Sequence, residues 1–216
     1  MSAAALDRAL DAHRAALRRC RACGDRVSGG PIISLARNPH VMLVGQAPGQ
    51  KEATDELPFA GRAGRTLFRW LAQAGLTEAE AREHIYITAI TRCYPGPSPS
   101  GRGDRVPSLA EQRLCSHWLD TELALIRPRV IIPVGRLAID RFLARAPLER
   151  MIGREHPAEL SGFSTRIIPL PHPSGASSWI HGPGHAALLT SALGILRSAL
   201  AEALTMTDSP QPALHE

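Results

Sequence analysis

Four cysteines are the residues of this 216-residue chain best suited to binding a metal. Cys20 and Cys23 form a Cys-x-x-Cys pair, a spacing typical of metal ligands, and Cys93 and Cys115 complete a set of four thiols. Structural disulfides are not expected in a cytoplasmic protein. The spacing leaves three alternatives open: an iron–sulfur cluster, a zinc ion, or unligated thiols packed in the core.

A histidine in the run PLPHPSGASSW, residues 169–179, is a second candidate for chemistry. His172 stands between two prolines, directly after a strand-like segment. An imidazole can donate or accept a proton near neutral pH. A lone histidine is more often structural or solvated, so its significance depends on which elements surround it.

The elements that must position these residues alternate between helices and strands. Apolar residues at helical spacing predict helices over residues 4–19, 62–76, 109–126, 136–143 and 183–204. Short apolar runs predict strands over residues 41–45, 84–93, 129–135 and 164–173. Ser108 and Glu111 have the spacing of a capping box at the start of the third predicted helix.

This alternation predicts the α/β class, as a three-layer α/β/α sandwich with a central, mostly parallel four-stranded sheet. We expect one domain over residues 1–204 and a disordered tail over 205–216. Ligands of such sheets bind beyond the carboxyl ends of the strands. The loops that leave those ends are residues 45–49, 91–97, 133–136 and 171–175. We therefore expect these four loops to meet at one rim.

Composition indicates a globular protein, with 44% apolar and 21% charged residues. The net charge of +5 permits a polyanionic partner, although Lys51 is the only lysine and the excess is moderate. No run of about 18 apolar residues predicts a membrane span. The amphipathic N-terminus lacks the apolar core of a secretory signal, so the expected location is the cytoplasm.

The order and spacing of five segments resemble the uracil-DNA glycosylases of the iron–sulfur-containing branch. These segments are VGQAPGQKE, PFAGRAGRTL, YITAITRC, RPRVIIPVG and PHPSG. Each is weak alone, but their order and the four cysteines together make a specific set. The resemblance implies a monofunctional DNA glycosylase that hydrolyses the N-glycosidic bond of uracil in base-excision repair.

The same resemblance implies a [4Fe–4S] cluster bound by Cys20, Cys23, Cys93 and Cys115. Four thiolates suit such a centre, and zinc is the less favoured alternative. We expect a structural role, in which the site tethers the N-terminal helix and the loop of residues 94–108 to the sheet.

By the resemblance, the turn after the first strand forms a base pocket. The substrate-binding residues that it implies are Gly45, Ala47, Pro48, Gly49, Phe59 and Ala89. Phe59 is the aromatic expected to stack on the flipped base. Ala89 departs from the family pattern, because related enzymes commonly carry an asparagine there and alanine cannot hydrogen-bond to a base. We therefore expect weaker discrimination, extending to other deaminated bases such as hypoxanthine.

His172 is implied to donate a hydrogen bond to uracil O2 as negative charge builds on the departing base. The residues after it correspond to the loop that enters the DNA minor groove. The implied DNA-binding residues are Pro173, Ser174, Gly175, Ser177 and Trp179. Trp179 is the expected wedge that fills the gap left by the flipped base, with packing on the final helix as the alternative.

The residue that activates the attacking water is the least defined part of the predicted site. Gln46 stands where this branch often has glutamate, and it can orient a water but cannot take its proton. Glu52 is the nearest carboxylate in the family-like stretch, and Asp55 and Glu56 are further candidates. We predict Gln46 and Glu52 as catalytic residues beside His172.

Two other functions remain as alternatives. Gln46 and Ala89 would also suit a DNA-binding or DNA-capturing relative with little turnover, although FAGRAGRTLF lacks the basic, histidine-ending insertion of the branch that attaches covalently to DNA. A cluster-containing redox or nucleotide-binding protein would leave PHPSG unexplained, and no G-x-G-x-x-G follows the first strand. The expected partner is single- or double-stranded DNA, with no membrane, and the expected state is a monomer acting at the nucleoid.

Overall fold

One mixed sheet of five strands organises the computed structural model, which describes residues 1–100, 103–174 and 179–205. The strands are β1 (Val41–Gly45), β2 (Ile85–Ala89), β3 (Val130–Pro133), β4 (His156–Leu160) and β5 (Phe163–Ile167). Their order is β2-β1-β3-β5-β4. All neighbours are parallel except β4 and β5, which form an antiparallel pair.

Helices cover both faces of this sheet. Within the described residues they are α1 (Ala3–Arg18), α2 (Gln50–Asp55), α3 (Arg62–Gln73), α4 (Glu78–His84), α5 (Leu109–Ile126), α6 (Arg136–Phe142), α7 (Leu148–Met151) and α8 (His185–Thr205). The predicted capping box begins α5, where the hydroxyl of Ser108 accepts from the Glu111 amide and the Glu111 carboxylate accepts from the Ser108 amide at 2.7 Å.

Alternation along the buried strands divides the apolar core into two halves. Val41 and Leu43 of β1 pack with residues of α3 and α8, whereas Met42 and Val44 pack with residues of α1 and α5. Successive side chains of a strand point to opposite faces, so a strand apolar at every position requires cover on both. The predicted three-layer α/β/α architecture is confirmed.

The sheet has one strand more than the predicted four, because β4 was missed. Its side chains are partly or fully exposed along its whole length, so it lacks the apolar run that marks the buried strands. It pairs with β5 through a turn in which Ser161 and Gly162 both have positive φ. The short helices α2, α4 and α7 were also not predicted, since few of their residues face the core. Apart from Thr205, which ends α8, the predicted tail lies outside the described residues.

Helix α8 is long and apolar enough to cross a membrane by length and composition alone. Core helices of globular proteins pass the same test. Here Leu189, Leu193, Leu196 and Leu200 are buried against the sheet and α3. Core packing therefore accounts for part of the apolarity of α8, since 33% of its most apolar window is buried.

The buried carboxylate of Glu122 joins α5 to three other parts of the fold. Glu122 on α5 is 1% exposed and accepts four hydrogen bonds. Its Oε1 accepts from Tyr86 at 2.9 Å and from His13 Nε2 at 3.1 Å. Its Oε2 accepts from Thr88 at 3.1 Å and from Arg92 Nη2 at 2.6 Å. The carboxylate thus links α5 to α1, to β2 and to the segment that follows β2.

Replacing Glu122 with glutamine would leave Arg92, only 2% exposed, without its countercharge. We expect Glu122→Gln to lower the free energy of unfolding by about 3–5 kcal/mol, measured by urea titration. Asp120→Asn is the matched control, because Asp120 lies on the same helix as Glu122 and its ion pair with Arg141 of α6 is at the surface. That change should lower it by less than about 1 kcal/mol. Equal losses in the two variants would contradict the central role of Glu122.

Candidate active site

A cleft of about 1010 Å³ lies at the carboxyl ends of the parallel strands. Gly45 pairs with Ala89 at the ends of β1 and β2, and Val134 bridges Leu170 beyond β3 and β5. All four predicted loops contribute to its wall. The predicted residues that line it are Gly45, Gln46, Ala47, Pro48, Gly49, Glu52, Phe59, Ala89, His172 and Ser174. The expectation that these loops meet at one rim is confirmed.

The imidazole of His172 is held in one tautomer by Ser174. The backbone N–H of Ser174 donates to His172 Nδ1 at 3.2 Å, and the Ser174 hydroxyl lies 2.8 Å from the same nitrogen. A nitrogen that accepts from an N–H carries no proton, so the proton of the neutral ring is on Nε2. Burial lowers the pKa of His172, which keeps the ring neutral near pH 7. The site therefore contains a neutral Nε2–H donor.

Gly135 lies directly beneath this ring. Its φ is +84°, and a Cβ atom placed on it would lie 3.0 Å from Cδ2 of His172. Any larger residue would strain the backbone and also push the imidazole out of place. The loop after β3 thus fixes the position of a side chain from the loop after β5.

Phe59 forms an aromatic wall of the cleft. Its ring lies over Gly45, where a Cβ atom would approach Cζ of the ring to 3.1 Å. Phe59 itself has a φ of +53°, an uncommon conformation for an aromatic residue. Such strain persists only where the surroundings enforce it. The arrangement leaves the ring half-buried at the rim, where a planar base could stack on it.

Glu52 joins two segments of the cleft wall, at Gly49 and at Gly61. Its Oε2 accepts from the Gly49 amide at 3.1 Å, and its Oε1 accepts from the Gly61 amide at 2.9 Å. The side chain is buried, with 9% of its surface exposed. Both carboxylate oxygens therefore hold backbone in place.

Asp104 is a carboxylate of the cleft that sequence reasoning missed. It is exposed and lines the cleft from the loop between β2 and α5. A Cβ atom on Gly49 would lie 2.7 Å from Asp104 Oδ2 and 2.8 Å from Glu52 Oε2, so the two carboxylates flank the same glycine. After burial, a hydrogen bond to Asp104 is the largest influence that raises the pKa of the Tyr94 hydroxyl. An aspartate in a Gly/Arg-rich loop carries no periodicity, and no signal in the sequence connects it with Gly49.

The four cysteine thiols line one small cavity of about 50 Å³. Cys20 and Cys23 follow α1, Cys93 follows β2, and Cys115 lies on α5. Burial, followed by the proximity of the other three thiols, raises the pKa of Cys93 to about 12. In residues 1–100, 103–174 and 179–205, no three His, Cys, Asp or Glu side chains are arranged to hold a metal ion.

Residues 34–190 match the family model of the uracil DNA glycosylase superfamily. The chain belongs to this superfamily. A Type-4 uracil-DNA glycosylase of Thermotoga maritima is 29% identical over 160 residues, which are 73% of this chain and 78% of the relative. A Type-4 enzyme of Archaeoglobus fulgidus is 34% identical over 139 residues, 62% of this chain and 65% of the relative. A third Type-4 relative, from Saccharolobus solfataricus, is 29% identical over 142 residues, 63% of this chain and 61% of the relative.

In this member of the uracil-DNA glycosylase superfamily, the last residue of β2, Ala89, carries no polar side chain. Ala89 lines the cleft, and its carbonyl accepts a hydrogen bond from Arg92 Nη1 at 2.7 Å. The residue therefore presents a methyl group to the cleft, while its carbonyl is held by a buried guanidinium.

The predicted DNA-binding residues of this superfamily member are only partly brought to the cleft. Ser174 lines it, and Pro173 is buried beside His172. Gly175 and Ser177 lie outside the described residues. The indole of Trp179 stacks on His185 at a ring distance of 4.2 Å and donates to Glu149 Oε1 at 2.8 Å. The indole thus packs at the start of α8, and its role as a wedge stays a prediction.

The lowered pKa of His172 predicts a specific dependence of stability on pH. Because the unfolded chain binds a proton at this site more readily than the folded protein does, the contribution to stability is complete above pH 6.5, the ordinary histidine value. It decreases as the pH falls through that value towards the lowered pKa. We expect His172→Gln to lose less stability than the wild type between about pH 7 and pH 5. Urea titrations at each pH measure the free energy of unfolding of both proteins. Parallel curves of that free energy against pH would contradict the prediction.

Proposed function

We propose that this protein is a DNA glycosylase that releases uracil from DNA, with other deaminated bases as weaker substrates. The main observation is the neutral imidazole of His172, whose Nδ1 accepts from Ser174, which leaves Nε2–H as the donor of the ring. It stands in the same cleft as the exposed part of the Phe59 ring. Membership of the superfamily and the Type-4 relatives support uracil as the base.

The geometry supports catalysis by stabilisation of the leaving group. When the bond between the sugar carbon and the base nitrogen breaks, its electron pair leaves with the base. A neutral donor at His172 Nε2 stabilises the resulting base anion more than it stabilises the intact nucleotide. Stacking on Phe59 holds the flipped base flat while this charge develops. The oxygen of a water molecule then bonds to the sugar cation, and one of the two protons of that water passes to a carboxylate of the cleft.

Asp104 is the group that we propose to receive this proton. Glu52 satisfies two backbone amides, so its main effect is to keep Gly49 and Gly61 in position. Gln46 can orient the water but cannot accept its proton. Asp104 faces the same glycine from the opposite loop and is exposed to solvent. Glu52, predicted as catalytic from the sequence, is the competing candidate. Comparing the Asp104 and Glu52 variants distinguishes the two.

The methyl group of Ala89 supports the broader choice of bases. A site that hydrogen-bonds a base edge rejects analogues strongly, because its buried polar groups would otherwise be left unpaired. Ala89 has no such group to leave unpaired. Hypoxanthine and xanthine should therefore be excluded less strictly than in relatives with an amide at this position.

We further propose that Cys20, Cys23, Cys93 and Cys115 hold a [4Fe–4S] cluster. The four thiols line one cavity, which fits a four-cysteine donor set. A single zinc ion would draw all four sulfurs to about 2.3 Å from one point, whereas each cysteine of a cluster binds a different iron and the sulfurs stand farther apart. Type-4 relatives, the iron–sulfur branch, support the same choice. When bound, the cluster would supply a structural crosslink.

We also propose that the partner is single- or double-stranded DNA, that the protein is a monomer, and that it is located in the cytoplasm. Superfamily membership supports DNA as the substrate.

Base release from synthetic oligonucleotides tests the function. Purified protein should release free uracil, and more slowly hypoxanthine or xanthine, measured by chromatography of the released base. His172→Ala should slow the single-turnover rate by about 10²–10³-fold, the scale of one lost donor to a developing anion. No release of any of the three bases would reject the proposal, and a DNA adduct that survives denaturing electrophoresis would favour the DNA-capturing alternative.

The same assay distinguishes Asp104 from Glu52. Asp104→Asn should lower the single-turnover rate with little change in KM, whereas Glu52→Gln should mainly raise KM by loosening the loops. Asp120→Asn, an isosteric change on the surface of α5, serves as the control and should leave both constants unchanged. A rate loss confined to Glu52→Gln would assign the proton transfer to Glu52 instead.

Metal analysis tests the cluster. Protein purified without oxygen should contain iron and acid-labile sulfide in equal amounts, and Cys115→Ser should lose both. Ser116→Ala, at the adjacent half-buried position of α5, should retain both. Zinc at one equivalent in place of iron and sulfide would contradict the proposal.

A further inference from the structure

Helix α3 presents a row of three arginines to solvent. Arg62, Arg65 and Arg69, here called the arginine stripe, are exposed and lie at i, i+3 and i+7 on one face. The opposite face of the helix is buried, with Leu67 and Leu71 packed in the core. The stripe is therefore the solvent-exposed face of a helix whose opposite face packs in the apolar core.

No acidic residue accompanies these charges. The sequence of α3, RAGRTLFRWLAQ, contains three cations and no aspartate or glutamate, and each of the other described helices contains at least one carboxylate. Within the described part of the chain, no carboxylate forms an ion pair with any member of the stripe. Among the residues that the structure describes, Arg69 donates to Thr66 and to the Arg65 carbonyl and to no carboxylate.

This placement carries a local energetic cost. Arg62 and Arg65 occupy the first turn, where the helix dipole disfavours cations. Arg65 and Arg69 are also like charges one turn apart, which destabilises an isolated helix by about 0.2–0.5 kcal/mol. An arrangement that costs stability and gains no internal ion pair is better explained by an external anion than by folding.

The stripe begins at the cleft. Gly61 and Arg62 line the cleft wall beside Phe59, and α3 leads away from it. At 1.5 Å per residue, Arg62 and Arg69 are separated along the helix axis by about 10 Å. A DNA strand advances about 3.4 Å per nucleotide in a duplex, so the stripe spans about three nucleotides.

We propose that the arginine stripe binds the phosphates of the DNA strand on one side of the flipped nucleotide. Arg62 contacts the phosphate nearest the cleft, and Arg65 and Arg69 contact the next phosphates along the strand. The proposal rests on the proposed function, and it adds a strand path along α3 that is separate from the loop after His172. It also gives the strand a direction, since α3 leaves the cleft on one side only.

Binding of a labelled single-stranded oligonucleotide without uracil tests the stripe independently of catalysis. Arg65→Gln/Arg69→Gln should raise Kd on the order of tenfold and make the slope of log Kd against log salt shallower by about 0.7 per arginine. Glutamine has a helix propensity close to that of arginine, and thermal unfolding should show no loss of stability. Arg8→Gln is the control, because Arg8 is an exposed arginine on α1, across the sheet from α3.

The direction of the strand is tested with two nine-nucleotide substrates. One carries uracil near its 5′ end and the other near its 3′ end, so only one has a flank long enough to reach the stripe. The double variant should raise KM for that substrate about tenfold and leave the other unchanged. The stripe would be overturned if the double variant matched Arg8→Gln in KM on both substrates and in the salt slope. The proposed glycosylase function would still stand in that case, provided that the wild-type protein releases uracil. An equal defect on both substrates would overturn the directional path.

Discussion

The buried carboxylate of Glu122 is the contact on which the arrangement of both the cleft and the cysteine cavity depends. A carboxylate removed from water must be compensated by nearly every available donor, or it destabilises the fold by several kcal/mol. Its donors come from three places: His13 on α1, Tyr86 and Thr88 on β2, and Arg92 beyond β2. Satisfying one side chain thus sets the relative position of α1, α5 and β2, which lead to all four cysteines.

Arg92 carries this constraint into the two cavities. Its side chain donates to the Ala89 carbonyl at 2.7 Å, and its backbone amide hydrogen-bonds to the thiol of Cys115. Thr91, Arg92 and Pro95 line both the cleft and the cysteine cavity. One wall of the cleft and the side of the cysteine cavity next to Cys93 are therefore built on one short segment of chain. The proposed cluster would therefore act structurally, since ordering Cys93 would also order the cleft wall next to it.

At the rim, the chemistry depends on backbone groups more than on additional charges. His172 is kept neutral by burial, Ser174 decides which nitrogen carries the proton, and Gly135 provides the space for the ring. Glu52 serves two amides of the pocket loops. Positive charge is placed instead on the outward face of α3, away from the reacting bond. This separation suits a reaction in which a base anion must be stabilised by a dipole while the phosphates are held by cations.

The amino-acid sequence is enough to predict the alternation of helices and strands, and hence that the loops after β1, β2, β3 and β5 meet at one edge. This is possible because apolar periodicity is local and parallel strands share one carboxyl edge. The pairings between distant residues become visible once the chain is folded: Glu52 with Gly61, Asp104 beside Gly49, and Glu122 with Arg92. The exposed strand β4 was likewise decided by its pairing with β5. Such contacts depend on how the elements pack in three dimensions, and the period of a sequence carries no information about that.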